Sequence, residues 1–337
     1  MGNSFMQPLR IAIQWTYLFF TIWLGIRFYQ FVSHFRSGGI EPPVPRPEGV
    51  EGFLPIAALL GLKDWFNSGS INPVHPASVV ILVAVILVSL LLRRSFCSWI
   101  CPIGTIEELL WKCGFSLFKK NFLVNYWLDV ALRGIKYLLL AFFIFFIFIK
   151  MAPAQIATFI DSDYNKIADV RMLDFFLNLS GFSLWFIIIT LLASLLVKNP
   201  FCRFLCPYGA LLGLFAFFSP LKVTRNKDVC ISCGVCNQFC PSRIPVMALE
   251  RVHTPECIGC WRCISHCRAE GALSMALPVR KAAIPGIIFA LLVILVFYGS
   301  TVIGKVTGNW KSAVTSEEYG TLIKNLPVKG EKDARPR

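Results

Sequence analysis

The 337-residue sequence is poor in charged residues, since Asp, Glu, Lys and Arg make up only 15% of it whereas 56% is hydrophobic. This scarcity excludes an ordinary soluble domain of this length. Acidic residues are scarcest, with 19 against 33 Lys and Arg, so the net charge is +14. The basic residues lie beside apolar segments and cysteines, so we expect no nucleic-acid partner. The composition predicts an integral membrane protein.

Two motifs are also missing. No small-residue cleavage site accompanies the first apolar segment, so we expect this segment to be retained as a membrane anchor. The order Cys263-Ile-Ser-His266-Cys267 is not a Cys-x-x-Cys-His motif, so no covalent haem is expected. His34 and His75 stay candidates for ligating a b-type haem or contacting quinol, against the simpler interpretation of solvated loop histidines.

Five apolar runs are long enough to cross the roughly 30 Å of bilayer hydrocarbon. They extend over Ile11 to Val32, Ala77 to Leu92, Gly134 to Met151, Phe182 to Val197 and Ala283 to Ile303. Lys and Arg are in excess between the second and third runs and between the fourth and fifth, which the positive-inside rule predicts to be cytoplasmic. We therefore expect about five spanning helices in a bacterial-type inner membrane, in contact with lipid, with the N-terminus in the cytoplasm.

An internal repeat joins two of these segments. The stretch from Leu87 to Gly104 recurs from Leu192 to Gly209, and both copies contain Cys-x3-Cys-Pro, with the cysteines Cys97, Cys101, Cys202 and Cys206. If each pair lies on a continuous helix, its two sulfurs share one face. The four thiols could then form a site for an iron-sulfur centre or another soft metal. Reversible thiol chemistry and buried cysteines at a helix corner are the alternatives, and an amphipathic surface helix is expected after each copy.

The last eight cysteines have the spacing of a protein that carries two [4Fe-4S] clusters. The runs are Cys230-x2-Cys233-x2-Cys236-x3-Cys240-Pro241 and Cys257-x2-Cys260-x2-Cys263-x3-Cys267. In such proteins the fourth cysteine of each run binds the other cluster. We therefore assign Cys230, Cys233, Cys236 and Cys267 to cluster 1, and Cys257, Cys260, Cys263 and Cys240 to cluster 2. Structural zinc is the alternative, but it leaves the three-plus-one pattern unexplained.

These features divide the chain into four parts. Residues 1–220 form a membrane domain with the two repeats at 77–118 and 182–218, and residues 221–276 form a cytoplasmic ferredoxin-like module. A C-terminal transmembrane helix at 277–303 and a periplasmic tail at 304–337 follow. The predicted fold is an α-helical membrane protein with a small α+β module, which its clusters must organise because it is too short for much of a core.

The two Cys-x3-Cys-Pro repeats, followed by two four-cysteine runs, resemble the NapH/NosR-type family of membrane polyferredoxins. The likeness covers about Leu87 to Met275. It implies electron transfer between the quinone pool, or a cytoplasmic donor such as ferredoxin, and a periplasmic cytochrome or oxidoreductase subunit. The chain departs from the family pattern in having Arg268 where a proline usually ends the second run, and in a helix after the module. It also lacks anything like the flavin-binding domain of the NosR proteins.

We therefore expect an electron-transfer subunit of a quinol dehydrogenase or oxidoreductase complex. The direction of electron flow stays open, because potentials of iron-sulfur clusters span about a volt. The rival interpretation is an assembly or regulatory protein that reduces a metal or a disulfide while a respiratory enzyme matures, which needs the thiol interpretation of the repeats. The acidic loop with Asp161, Asp163, Asp169 and Asp174 is either a docking surface for a basic partner or an ordinary solvated loop.

Overall fold

The computed structural model describes residues 5–278 and 282–326, which are mostly helical. The end of the predicted tail, residues 327–337, lies outside this range. The helices are α1 (Met6–Arg36), α2 (Pro55–Ser68), α3 (Pro76–Leu92), α4 (Phe96–Trp99), α5 (Pro102–Phe118), α6 (Tyr126–Ile144), α7 (Pro153–Ile160), α8 (Asp163–Lys166), α9 (Ala168–Leu177), α10 (Gly181–Leu196), α11 (Pro207–Phe217), α12 (Val235–Phe239), α13 (Arg262–Ser265), α14 (Gly286–Val306) and α15 (Ser316–Lys324). Short π-helical turns are found at Phe145–Lys150 and Phe201–Leu205.

Among the described residues, three helices are long and apolar enough to cross a membrane: α1, the continuous helix Tyr126–Lys150 and α14. A fourth span results if α9 and α10, which are bent by 77°, are taken as one broken span. The predicted second run corresponds to α3, which has only 17 residues, and the predicted fourth run to α10, which has only 16. The chain is thus a multi-pass membrane protein, while the number of five spans stays a prediction.

The described residues form two compact units. The first comprises residues up to Thr21, Val83 to Phe146 and Ser180 to Val302, and the second comprises Ile22 to Leu82, Ile147 to Leu179 and the residues from Ile303 on. All the cysteines of both motif types belong to the first unit. The sequence-based boundaries at residues 220, 276 and 303 stay predictions.

In the first unit, the two strands of an antiparallel sheet come directly before and after the four-cysteine runs in the sequence. Strand β1 (Lys222–Arg225) pairs with β2 (Leu273–Ala276), so the start and end of the cluster segment lie side by side. Buried Val223 and Met275 from these strands share one apolar core with Met6 of α1, Trp99 of α4 and Phe289 of α14. The predicted α+β module therefore packs directly on long apolar helices of the same unit.

The second unit contains a buried ion cluster, and His75 belongs to it. His75 is only 4% exposed, which excludes the solvated loop histidine expected from the sequence. Its Nδ1 lies 3.2 Å from Glu51 Oε1 and its Nε2 lies 2.7 Å from the backbone oxygen of Asn165. Burial lowers the pKa of His75, but the hydrogen bond and charge of Glu51 outweigh burial and raise it. Because both ring nitrogens face acceptors, neither has a lone pair free for haem iron.

The acidic loop also differs from the expected solvated surface. Asp169 is fully buried and accepts hydrogen bonds from Arg46 at 2.6 and 2.9 Å. Asp174 pairs with Arg36 at 2.7 Å. Of the four predicted docking residues, only Asp161 and Asp163 remain exposed, so the loop offers a smaller acidic surface than its sequence suggested.

Candidate iron-sulfur sites

The two four-cysteine runs fold into matching turns. In each run, the residues on either side of the second cysteine have positive φ, between 53° and 72°. These residues are Ser232, Gly234, Gly259 and Trp261. Each turn leads into a short helix with the third cysteine, Cys236 in α12 and Cys263 in α13. Left-handed residues reverse the chain tightly, and a reversal of this kind lets successive cysteines approach a common centre.

Two cavities in the module are each lined by four cysteines. One is lined by Cys230, Cys233, Cys236 and Cys267. The other is lined by Cys240, Cys257, Cys260 and Cys263. Each set takes three cysteines from one run and the last cysteine from the other. These are the same sets that the crossed rule assigns from the sequence.

Each cavity supplies the four cysteine thiols that a [4Fe-4S] cluster requires. Within residues 5–278 and 282–326, no group of three or more Cys, His, Asp or Glu side chains is placed to hold one metal ion. A tetrahedral zinc site, with Zn–S bonds of about 2.3 Å, brings its thiolates within about 4 Å of each other. A four-iron cluster separates its thiolates further because the iron and sulfide atoms lie between them. The donor sets therefore fit iron-sulfur clusters.

The two cavities differ in burial and charge. Cys233 in the first is exposed, and Cys230 Sγ lies 3.7 Å from Arg225 Nη1. The pKa of Cys230 is lowered by a hydrogen bond from the backbone of Ser232 and, next, by Arg225. In the second cavity, burial raises the pKa of Cys240 to about 12. A thiol with such a pKa is held as thiolate when a metal displaces its proton.

The four repeat cysteines also converge. Cys97 and Cys202 line a third cavity, together with Arg94 and Arg203. The pKa of Cys202 is raised well above its ordinary value by burial, then by the charges of Glu107 and of the other three repeat cysteines. The structure thus brings together all twelve cysteines that the sequence assigns to clusters or to the repeat site.

The backbone corrects two expectations about the repeats. Cys97 lies in α4 and Cys202 in a π-helical turn, whereas Cys101 and Cys206 are extended residues directly before α5 and α11. Proline occupies the first position of each following helix, where its missing N–H is not needed. Each pair therefore spans a break between helices. In addition, α11 is an apolar helix with six buried residues, so the expected amphipathic surface helix is wrong for the second copy.

Sequence reasoning missed Glu107. Its Oε1 accepts a hydrogen bond from the backbone N–H of Phe201 at 2.7 Å, and its Oε2 accepts one from Cys202 at 3.1 Å. A carboxylate from the first repeat thus holds the cysteine turn of the second. The sequence could have indicated Glu107, because the two repeats differ there: the equivalent residue in the second copy is Leu212.

Glu108, the next residue, joins three segments of the first unit. Arg10 of α1 donates to both carboxylate oxygens at 2.7 Å, Lys112 donates at 2.7 Å, and Arg262 donates as well. Burial alone would raise the pKa of Glu108, but these hydrogen bonds and charges hold it well below its usual range. Arg262 lies between Cys260 and Cys263, so this pairing fixes the second four-cysteine run to α1 and α5.

A helical membrane chain with cavities lined by four cysteines defines a membrane-bound iron-sulfur protein of the ferredoxin type. Two family models agree with this class. One, a 4Fe-4S binding domain, matches residues 74–125 and again 177–226, once over each repeat. The other, a 4Fe-4S dicluster domain, matches residues 222–268.

Relatives of known name extend the match to nearly the whole chain. YccM of Escherichia coli (strain K12), a candidate electron transport protein, is 40% identical over 326 residues, which are 95% of this chain and 91% of the relative. The ferredoxin-type protein NapH of the same organism is 27% identical over 58% of this chain and 67% of the relative. The regulatory protein NosR of Pseudomonas aeruginosa is 30% identical over 51% of this chain but only 23% of the relative.

The chain therefore belongs to the NapH/NosR-type family of ferredoxin-type membrane electron-transfer proteins, as its motifs predicted. No solved structure matches it significantly.

Proposed function

We propose that this chain is the electron-transfer subunit of a membrane redox complex, relaying single electrons between the quinone pool, or a cytoplasmic donor, and a periplasmic partner. One observation carries this proposal. The apolar core that contains Cys236, Cys240 and Cys257 also contains Met6 of α1 and Phe289 of α14. A redox group built into the same core as long apolar helices is positioned to exchange electrons with a reactant dissolved in lipid.

In this proposal Cys230, Cys233, Cys236 and Cys267 hold one [4Fe-4S] cluster, and Cys240, Cys257, Cys260 and Cys263 hold the other. When bound, each cluster supplies reversible one-electron chemistry. The residues of the chain provide thiolates and exclude water. Cys257 and Cys260 are buried with Trp261 and Ile264, whereas Cys233 is exposed. The first site is therefore suited to a soluble partner, and the second to transfer toward the membrane.

We place the N-terminus and both clusters on the cytoplasmic side of an inner membrane. The support is the excess of Lys and Arg in the segments 93–133 and 198–281. The alternative function is maturation or regulation of a respiratory enzyme through the repeat thiols, and the match to a regulatory protein favours it. Under that alternative, electron exchange with quinone is not needed.

The proposal predicts quinone-dependent oxidation of the clusters. We expect dithionite-reduced protein in anaerobic proteoliposomes to lose its cluster EPR signals rapidly when the lipid contains menaquinone, and to keep them when it does not. Equal decay in both preparations would rule out transfer to quinone and favour the alternative function. Two exposed cysteines supply matched variants. Cys233→Ser should lose the signal of one cluster, whereas Cys113→Ser should retain both.

A further inference from the structure

We infer that Cys97, Cys101, Cys202 and Cys206 hold a third iron-sulfur cluster, with Arg94 and Arg203 compensating its negative charge. This inference rests on the proposed relay and extends it, because the third site adjoins the second cluster site. The reversible-thiol and buried-corner interpretations of the repeats are the outcomes that would replace it.

The four repeat cysteines form a thiol set of the size that a cluster needs. The two repeats bring four half-buried cysteines close enough to interact electrostatically, and Cys97 and Cys202 line a common cavity. Among the described residues, these cysteines, like those of the ferredoxin module, are not spaced for a single metal ion. The third set therefore offers four thiols, the number that a [4Fe-4S] cluster requires.

Two arginines place positive charge beside these thiols. A four-iron cluster on four thiolates is an anion, so its site needs nearby cations or hydrogen-bond donors. Arg94 and Arg203 line the cavity, and both are buried, with 2% of Arg94 and 3% of Arg203 exposed to solvent. Arg203 has to share the carboxylate of Asp129 with Arg133, which donates to it at 2.5 Å. One carboxylate thus serves two guanidinium groups, while the Glu107 carboxylate beside Cys202 offsets part of their positive charge.

Unpaired polar atoms point the same way. Nε and Nη1 of Arg203 and Nε of Arg94 are buried and have no hydrogen-bond partner among the described residues. Buried donors in proteins are nearly always paired. An anionic cluster with sulfide acceptors beside these guanidinium groups would give them partners, which a cavity lined only by neutral thiols does not.

The backbone around the second cysteine of each pair also favours a negatively charged cluster. Cys101 and Cys206 directly precede α5 and α11, so the N-termini of two helices converge on the thiols. The backbone N–H of Gly209 already donates to Cys206 Sγ at 3.3 Å. N-terminal amides and the helix dipole both favour negative charge at this position. The proline after each second cysteine begins the helix at the thiol and so aligns the dipole with the site.

The place of the site gives it a role. Pro241, Ser242 and Ile258 line both the third cavity and the second cluster cavity, so one layer of residues separates them. Hydrogen bonds fix this layer, because Ser98 Oγ donates to the backbone oxygen of Ile258 at 2.5 Å and Trp99 Nε1 donates to that of Gly259 at 3.1 Å. One electron can therefore pass between neighbouring sites, oxidising one centre and reducing the other. The order is the exposed cluster, the buried cluster and the repeat site.

The test compares anaerobically purified wild type with the quadruple variant Cys97→Ser, Cys101→Ser, Cys202→Ser and Cys206→Ser. We expect the variant to lose about four iron atoms and four sulfides, and to lose one EPR signal while both module signals persist. The persisting signals show that the module has folded. Equal iron and identical spectra in the two proteins would overturn the inference in favour of thiol or structural roles. Absence of the module signals from wild type would instead overturn the proposed relay.

A second variant covers the case in which the quadruple variant does not fold. Arg203→Met removes a cation but no thiol, and we expect the reduction equilibrium of the third centre to shift at least tenfold toward the oxidised form, or 59 mV for one electron. The module signals should titrate as in wild type. Arg251→Met is the matched control, since Arg251 is outside the residues that line the third cavity. A wild-type titration with no third signal would overturn the third cluster. A third signal whose potential is unchanged in Arg203→Met would overturn the charge compensation by Arg203.

Discussion

Replacing Gly104 with alanine is expected to destabilise the protein strongly, whereas the same replacement at Gly209 is expected to be tolerated. Both glycines follow the proline of a Cys-x3-Cys-Pro repeat by two residues. A Cβ at Gly104 would lie less than 3.0 Å from the backbone oxygen of Cys97, closer than real Cβ atoms approach. A Cβ at Gly209 would lie 3.4 Å from the oxygen of Cys202, which is an ordinary contact. Because the obstacle at Gly104 is backbone, it cannot move aside without opening the cysteine turn.

Membrane levels and thermal unfolding of the detergent-solubilised variants measure this difference. Overpacking a rigid site lowers the free energy of unfolding by about 1–3 kcal/mol or more, and the Gly104→Ala protein should fall at or beyond the upper end. The Gly209→Ala protein should unfold within a few degrees of wild type. Equal stability of the two variants would contradict the closer packing at Gly104 than at Gly209.

Replacing Glu108 with glutamine is expected to lower the free energy of unfolding by about 3–5 kcal/mol, the usual effect of removing one partner from a buried ion pair. The amide keeps the shape of the side chain but leaves Arg10 and Arg262 buried without a counter-charge. The effect should depend on pH. Since the folded-state pKa of Glu108 is held below its ordinary value, its stabilisation is complete above the unfolded pKa and is lost only as pH falls through the lower folded value.

The control is Glu250→Gln. Glu250 pairs with Lys227 at 3.2 Å, but both side chains are more than half exposed, so this ion pair is screened by solvent. Thermal unfolding should distinguish the variants at neutral pH, and the difference between wild type and Glu108→Gln should shrink in acid. A Glu108→Gln protein as stable as Glu250→Gln at neutral pH would show that Glu108 does not join α1 to the module.

The cysteine sets could be predicted from the sequence because their geometry is mostly local. Three ligands of each module site lie within seven residues, and a tight turn brings them together whatever the rest of the chain does. Three of the five predicted apolar runs correspond to helices long enough to span a membrane, since span length follows from bilayer thickness. Even the crossed fourth cysteine follows from the pairing of two similar runs.

Contacts between distant segments could not be predicted in the same way. Arg10 and Glu108 are 98 residues apart, and no local pattern relates them. The sequence predicts His75 to be a solvated loop residue, because its partners Glu51 and Asn165 come from other segments of the chain. The helical face expected for each Cys-x3-Cys pair failed for a local reason instead, because the proline after the second cysteine starts a new helix there.

The central claim is that the paired cysteines of this membrane protein bind iron-sulfur clusters. Its most direct test is the iron, zinc and acid-labile sulfide content of the protein purified anaerobically from membranes. The account predicts about four iron atoms and four sulfides for each four-cysteine set, with no stoichiometric zinc. Stoichiometric zinc, or iron without sulfide, would contradict it.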